Sequence, residues 1–159
     1  MSLKEEPSMS FVRRFILAIA ITAACSTVAY AQRDELQSNL SEDSAFVGRF
    51  YNKEYDVFMV INFHDANVTP PGHEIYGPLP GYLGKPSSSF YWMIIEAEVE
   101  DKKANLQIIN DFGSEDLTAK LVQLNDSTFR LTQGKGSTIK IPDNGKWMKL
   151  PKSLDFMKR

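Results

Sequence analysis

The chain has two histidines, His64 and His73, nine residues apart, and each is followed by a carboxylate, Asp65 and Glu74. Imidazole and carboxylate are ligands for zinc and related ions, so a two-histidine, two-carboxylate metal centre and a metal-dependent hydrolase are one chemistry these residues permit. The spacing matches no established ligand motif, and solvated loop histidines are the simpler reading. A His–Asp pair for base catalysis would also need a nucleophile placed by the fold. The acidic turn Asp111 to Asp116, with Glu115 inside it, offers oxygens to a hard cation, but it lacks the spacing of an EF-hand loop and reads as a solvated hairpin turn. Glu96, Glu98 and Glu100 alternate along one strand face. A carboxylate pair can do acid–base work, yet an outward polar face explains them as well. No glycine-rich phosphate loop, G-x-S-x-G elbow or H-E-x-x-H is present. The residues imply no cofactor, and no catalytic constellation is evident.

Aromatic residues offer a second kind of chemistry. Residues 64–89 hold Pro70, Pro71, Gly72, Gly77, Pro78, Pro80, Gly81, Gly84 and Pro86, with Tyr76 and Tyr82 between them. A loop of about 26 residues is far longer than an ordinary hairpin connection and is often functional. It reads either as a lid or partner-binding surface with rigid aromatic contacts, or as a packed Ω-type loop closing one barrel end. Trp92 and Trp147 each stand beside apolar residues and suit core or barrel-end positions better than ligand platforms. Tyr76, Tyr82, Trp92 and Trp147 are the candidate ligand- or partner-binding residues; His64 and His73 are the weak metal candidates.

The elements that must position these residues are strands. From Phe46 onward apolar residues recur with period two. Strands are expected over 46–51, 55–63, 90–100, 104–112, 117–124, 128–133, 137–142 and 146–150, with a last short strand at an edge around Leu154 and Phe156. The second strand carries apolar residues on both faces and is expected to be covered on both. In the third, Met93, Ile95, Ala97 and Val99 are expected to share a face. Asn144-Gly145 is a strong type I′ hairpin signal. Turns this short cannot carry parallel crossovers, so the sheet is an antiparallel meander. About eight strands hide their edges by closing into a barrel, the favoured architecture, or by splitting into a β-sandwich.

Ahead of the strands, Arg13-Arg14 precedes the apolar run from Phe15 to Ala24, and Ala29-Tyr30-Ala31 precedes Gln32. The run is too short for a bilayer core of ~30 Å but fits a secretory signal, with A-x-A as its cleavage site. The expected organisation is a signal peptide at 1–31, a polar leader at 32–45 and a single β-barrel domain at 46–159, placing the protein in the periplasm or outside the cell. Lipidation at Cys25 after a weak lipobox, a twin-arginine signal and an uncleaved anchor are the alternatives. Without residues 1–31 the chain loses Lys4, Arg13, Arg14, Glu5 and Glu6 and keeps 15 basic and 18 acidic residues, with no basic stripe. That balance argues against nucleic-acid binding. Cys25 is the only cysteine, so the mature domain has neither disulfide nor thiol chemistry. No membrane span is expected in the mature chain. Hydrophobic residues at 43% and charged residues at 24% mark a globular body. Three N-x-[ST] sites occur, at Asn39, Asn67 and Asn125.

Phe46-Val47-Gly48-Arg49-Phe50 opens the first strand. Its Gly-x-aromatic element resembles the G-x-W opening of the calycins, the lipocalins and fatty-acid-binding proteins. The domain is also similar to small exported lipocalin-like proteins of bacteria whose function is uncharacterised. Phe50 stands where lipocalins have Trp, and the long loop follows the second strand instead of the first. The resemblance implies a closed eight-stranded barrel and carries over no ligand-contact residue. Three functions stay open: a barrel binding a small apolar ligand in its mouth, a protein-interaction or accessory domain acting through the 64–89 loop, and a hydrolase using His64 and His73. An eight-stranded barrel is only just wide enough for its own side chains, and the expected inward set of Met59, Ile61, Phe63, Met93, Ile95, Leu121, Phe129 and Leu131 is bulky.

Overall fold

The computed structural model describes residues 45–159. The expected signal peptide, and the polar leader up to residue 44, lie outside the described residues. Ten strands follow in order: β1 (Val47–Asn52), β2 (Val57–Asn62), β3 (Gly81–Gly84), β4 (Tyr91–Glu100), β5 (Lys103–Asn110), β6 (Asp116–Gln123), β7 (Thr128–Gly136), β8 (Lys140–Asp143), β9 (Lys146–Lys149) and β10 (Ser153–Lys158). Eight of them close into an antiparallel barrel in the order β1-β2-β3-β4-β5-β6-β7-β10, while β8 and β9 form a separate two-stranded sheet. This is the closed all-β architecture that the alternation and the calycin resemblance imply. No helix among the described residues is long and apolar enough to cross a membrane.

The alternation works most simply in β5 and β6. Ala104, Leu106 and Ile108 on β5 lie opposite Leu121, Ala119 and Leu117 on β6, all buried, and their polar neighbours face out. The inner faces together form one core. Phe46, Phe50, Met59, Trp92, Phe129 and Phe156 in it are at most 1% exposed. Phe129 meets Phe50 edge-on at 4.7 Å and Phe46 at 5.7 Å. Large rings at this separation fill the narrow interior of an eight-stranded barrel.

Strand membership differs from the sequence expectation in three places. Segment 64–89 is not one loop, because Gly81–Gly84 forms β3 between β2 and β4. Gly81 is required there: a Cβ would stand 2.5 Å from the Val60 carbonyl oxygen. The segments expected as seventh and eighth barrel strands pair with each other as β8–β9 instead. Their Asn144 and Gly145 have φ of 49° and 77°, the double positive φ of a type I′ turn. The strand around Leu154 and Phe156 is not an edge, since β10 pairs with β7 on one side and β1 on the other and closes the barrel.

A register shift between Ile94 and Glu96 explains a fourth difference. One extra residue in a strand reverses which face each later side chain takes. Trp92 and Ile94 point inward before the shift, and Ala97 packs against the core after it. Met93 faces outward, and Ile95 is 38% exposed. The remaining members of the expected inward set pack in or against the core.

A second apolar cluster of Phe58, Leu79, Tyr82, Tyr91 and Met93 lies on the outer wall of β2, β3 and β4. The 63–80 segment covers it, with Val68 and Leu79 exchanging backbone hydrogen bonds at 3.0 and 2.8 Å. The second strand is therefore covered on both faces, as expected. The long segment is packed, but onto the barrel wall and not across a barrel end as an Ω-loop lid.

Candidate interaction surface

One end of the barrel gathers five connections: the β1–β2 turn and four that concern the surface, namely the tip of the 63–80 segment, the β3–β4 turn, the β5–β6 turn and the β8–β9 hairpin. Polar groups hold the last four in place. Asn110 ends β5 at 3% exposure. Its Oδ1 accepts the backbone N–H of Ser114 at 2.9 Å and of Glu115 at 3.3 Å, which shapes the β5–β6 turn. Gln133 ends the regular part of β7 and is 5% exposed. It accepts the Ile139 N–H at 2.7 Å and donates to the Pro151 carbonyl at 2.7 Å, fixing both ends of the hairpin insertion. The Trp92 indole N–H donates to the Lys140 carbonyl at 2.8 Å from inside the barrel. Ile139, Ile141 and Leu150 anchor the same insertion in the core. Two ion pairs complete the frame, Lys85 to Asp143 and Lys140 to Glu115, each 2.6 Å.

This frame presents apolar side chains to solvent. Ile75 is 94% exposed, Phe112 74%, Trp147 56% and Tyr76 36%. The half-buried Phe90 ring links them, 4.8 Å from Trp147 and 5.7 Å from Phe112. The Tyr76 hydroxyl donates to the Asp111 carbonyl at 2.6 Å, placing the Tyr76 ring at the β5–β6 turn that carries Phe112. Grouped exposed aromatics with a charged rim are the composition of an interaction surface; single exposed apolar residues carry no such meaning.

Of the four aromatic candidates from the sequence, Tyr76 and Trp147 stand on this surface. Tyr82 is 7% exposed in the outer-wall cluster, and Trp92 is wholly buried, its ring 6.3 Å from that of Phe90. Ile75, Phe90 and Phe112 carry as much of the surface, and sequence reasoning missed them. The signal that could have found Phe112 is an aromatic residue inside an otherwise polar turn, Asp111-Phe112-Gly113-Ser114.

The histidines part company. His64 is exposed and lies 3.7 Å from Asp65. His73 is largely buried, with its Nε2 3.4 Å from Asp111 Oδ2, its Nδ1 3.1 Å from the Pro71 carbonyl, and its ring against Tyr91 at 5.4 Å. Both nitrogens of His73 are engaged, so metal ligation or base catalysis would have to break one contact. Among the described residues no three His, Cys, Asp or Glu side chains are grouped to hold a metal ion. Burial pushes the Asp111 carboxyl above the ordinary aspartate value, and His73 opposes that rise. Glu74 is held below the usual carboxylate range by hydrogen bonds from its own backbone and from Gly72. The acids of the 111–116 turn do not converge: Asp111 faces His73, and Glu115 faces Lys140.

Glu96, Glu98 and Glu100 are exposed, as an outward polar face requires. With Asn105, Gln107, Thr118 and Lys120, the first two line an open groove of about 560 Å³ on the β4–β7 wall. No known protein family, curated protein or solved structure matches the chain.

Proposed function

We propose that this chain is an exported, non-catalytic barrel that works by protein interaction, docking a protein partner on the aromatic barrel end. The observation that carries the reading is the joining of Tyr76, Phe90, Phe112 and Trp147 from four connections into one exposed patch. Interfaces draw most of their affinity from a few aromatic anchors ringed by polar groups. The ion pairs Lys85–Asp143 and Lys140–Glu115 supply such a rim. The alternative of a small apolar ligand in the barrel mouth has less support, because Phe50, Trp92, Phe129 and Phe156 occupy the interior. The hydrolase alternative is weakened by the two occupied nitrogens of His73.

Affinity capture from the exported fraction of the source cells tests the proposal, using the mature protein, a Phe112→Ser/Trp147→Ser double variant and Lys120→Ala on the outer face of β6. Each anchor is worth about 2 kcal/mol, or about 30-fold, so the double variant should lose partner binding by roughly 1000-fold while Lys120→Ala retains it. Equal capture by all three removes the docking surface.

A further inference from the structure

The contact between His73 and Asp111 carries a consequence beyond docking. The Pro71 carbonyl can only accept, so the hydrogen bond at 3.1 Å requires a proton on His73 Nδ1. The other nitrogen, Nε2, lies 3.4 Å from Asp111 Oδ2. A neutral imidazole in this tautomer turns a bare lone pair toward the carboxylate, which repels it. The arrangement is attractive only when one further proton lies between Nε2 and the carboxyl group. Asp111 cannot turn away cheaply. Its side chain is 9% exposed, and its Oδ1 is buried with no hydrogen-bond partner.

We propose that His73 and Asp111 form a proton-operated latch that holds the tip of the 63–80 segment against the barrel and opens when their shared proton leaves. The tip has few other ties to the barrel end. The 3-10 turn Glu74–Tyr76 has no buried residue, and Tyr76 reaches the barrel through its bond to the Asp111 carbonyl. His73 itself packs on Tyr91 of β4 and stacks near Tyr76 at 6.3 Å. The charged and titratable groups around the pair are few. Glu74 adjoins His73 and turns its carboxylate to the Gly72 N–H at 3.1 Å. Tyr82 of β3 lies against Tyr91 at 5.0 Å, and Arg49 of β1 is drawn over the Phe58 ring at 4.3 Å. None of them hydrogen-bonds to the imidazole, so the proton shared with Asp111 decides the contact.

The direction follows from the proton count. The closed form binds one more proton than the open form at the His–Asp pair, so low pH closes the latch and rising pH opens it. Opening would release Tyr76 from the β5–β6 turn that carries Phe112, so the effect on partner binding rests on the docking reading above. The latch itself does not.

Hydrogen exchange of the mature protein without a partner tests the latch. The amides of Tyr76 and Gly77 donate to His73 and Glu74 carbonyls at 3.1 and 3.0 Å and report on the tip. Their protection factors, corrected for intrinsic exchange, should fall at least ~10-fold from pH 5 to pH 8, while Leu121 and Phe129 in the barrel stay constant. In Asp111→Asn the side-chain amide can donate to neutral His73 Nε2, so the tip should stay protected with no pH dependence. His73→Gln, which cannot titrate, should also be flat and gives the answer if the first variant folds poorly. Flat protection in the unmodified protein, or the same pH dependence in both variants, overturns the latch. Partner capture at pH 5 and pH 8 then bears on docking alone: a titrating tip with unchanged capture removes the tip from the interface and leaves the latch standing.

Discussion

Gln133 offers the sharpest test of how the barrel end is assembled. Replacing it with Leu keeps the volume and removes three hydrogen bonds: from Ile139 N–H at 2.7 Å, to Pro151 carbonyl at 2.7 Å and to Leu150 carbonyl at 3.3 Å. Ile139 is wholly buried, so its N–H has no water to turn to. An unpaired buried donor costs about 1–3 kcal/mol, and carbonyls with a second lone pair cost less. The expected total is about 2–4 kcal/mol, a large share of the ~5–15 kcal/mol that holds a domain together. Urea unfolding of Gln133→Leu beside the parent protein measures it as a lower midpoint at unchanged slope. Amides at Leu150 and Trp147 should lose exchange protection before those of β5 and β6, because the hairpin insertion is what Gln133 ties down. A loss under about 1 kcal/mol, or a loss spread evenly over all strands, would refute the claim that one buried amide side chain fastens the insertion.

Phe129→Ala should cost about 3–5 kcal/mol in the same assay, since the ring is wholly buried between Phe46 and Phe50. Gly145→Ala places a side chain at φ 77° and should cost about 1 kcal/mol, read by urea unfolding, with the effect confined to the hairpin. Burial lifts the Asp111 carboxyl above its ordinary 3.8, so the folded state holds that proton more tightly than the unfolded one. This contributes stability that is present below the ordinary value and lost as pH rises through the raised one; Asp111→Asn should flatten that part of the stability profile. Asp155 behaves oppositely, because hydrogen bonds from Arg130 at 2.7 and 2.8 Å lower its pKa. Its contribution is present above the ordinary aspartate value and lost as pH falls through the lowered one. It should be small and reduced by salt because both side chains are about half exposed.

The local pattern made β5, β6 and the Asn144-Gly145 hairpin legible, since each depends on alternation or on turn chemistry within a few residues. β3 was not legible because Gly81-Tyr82-Leu83-Gly84 is too short for alternation to register and is flanked by prolines. Its identity as a strand comes from pairing with β2 and β4, and β2 ends 19 residues before it begins. The same limit hid the role of β10. Whether a six-residue strand is an edge or a closing strand depends on β1, about 100 residues away. The register shift after Ile94 put Met93 and Ile95 on the wrong expected face, as one unpaired residue leaves no mark in composition. At the barrel end, Tyr76 was legible as an aromatic residue in an irregular segment, and Trp147 as an aromatic residue in the strand after the Asn144-Gly145 turn. Their union with Phe90 and Phe112, and the meeting of His73 with Asp111, is tertiary: 38 residues separate the last pair.

Site-specific photo-crosslinking in the source cells tests the docking surface most directly. A photoreactive phenylalanine analogue in place of Phe112 should capture a discrete protein partner, and the same analogue in place of Lys120 on the outer face of β6 should not. Capture from position 120 and none from position 112 would contradict the assignment of function to the aromatic barrel end.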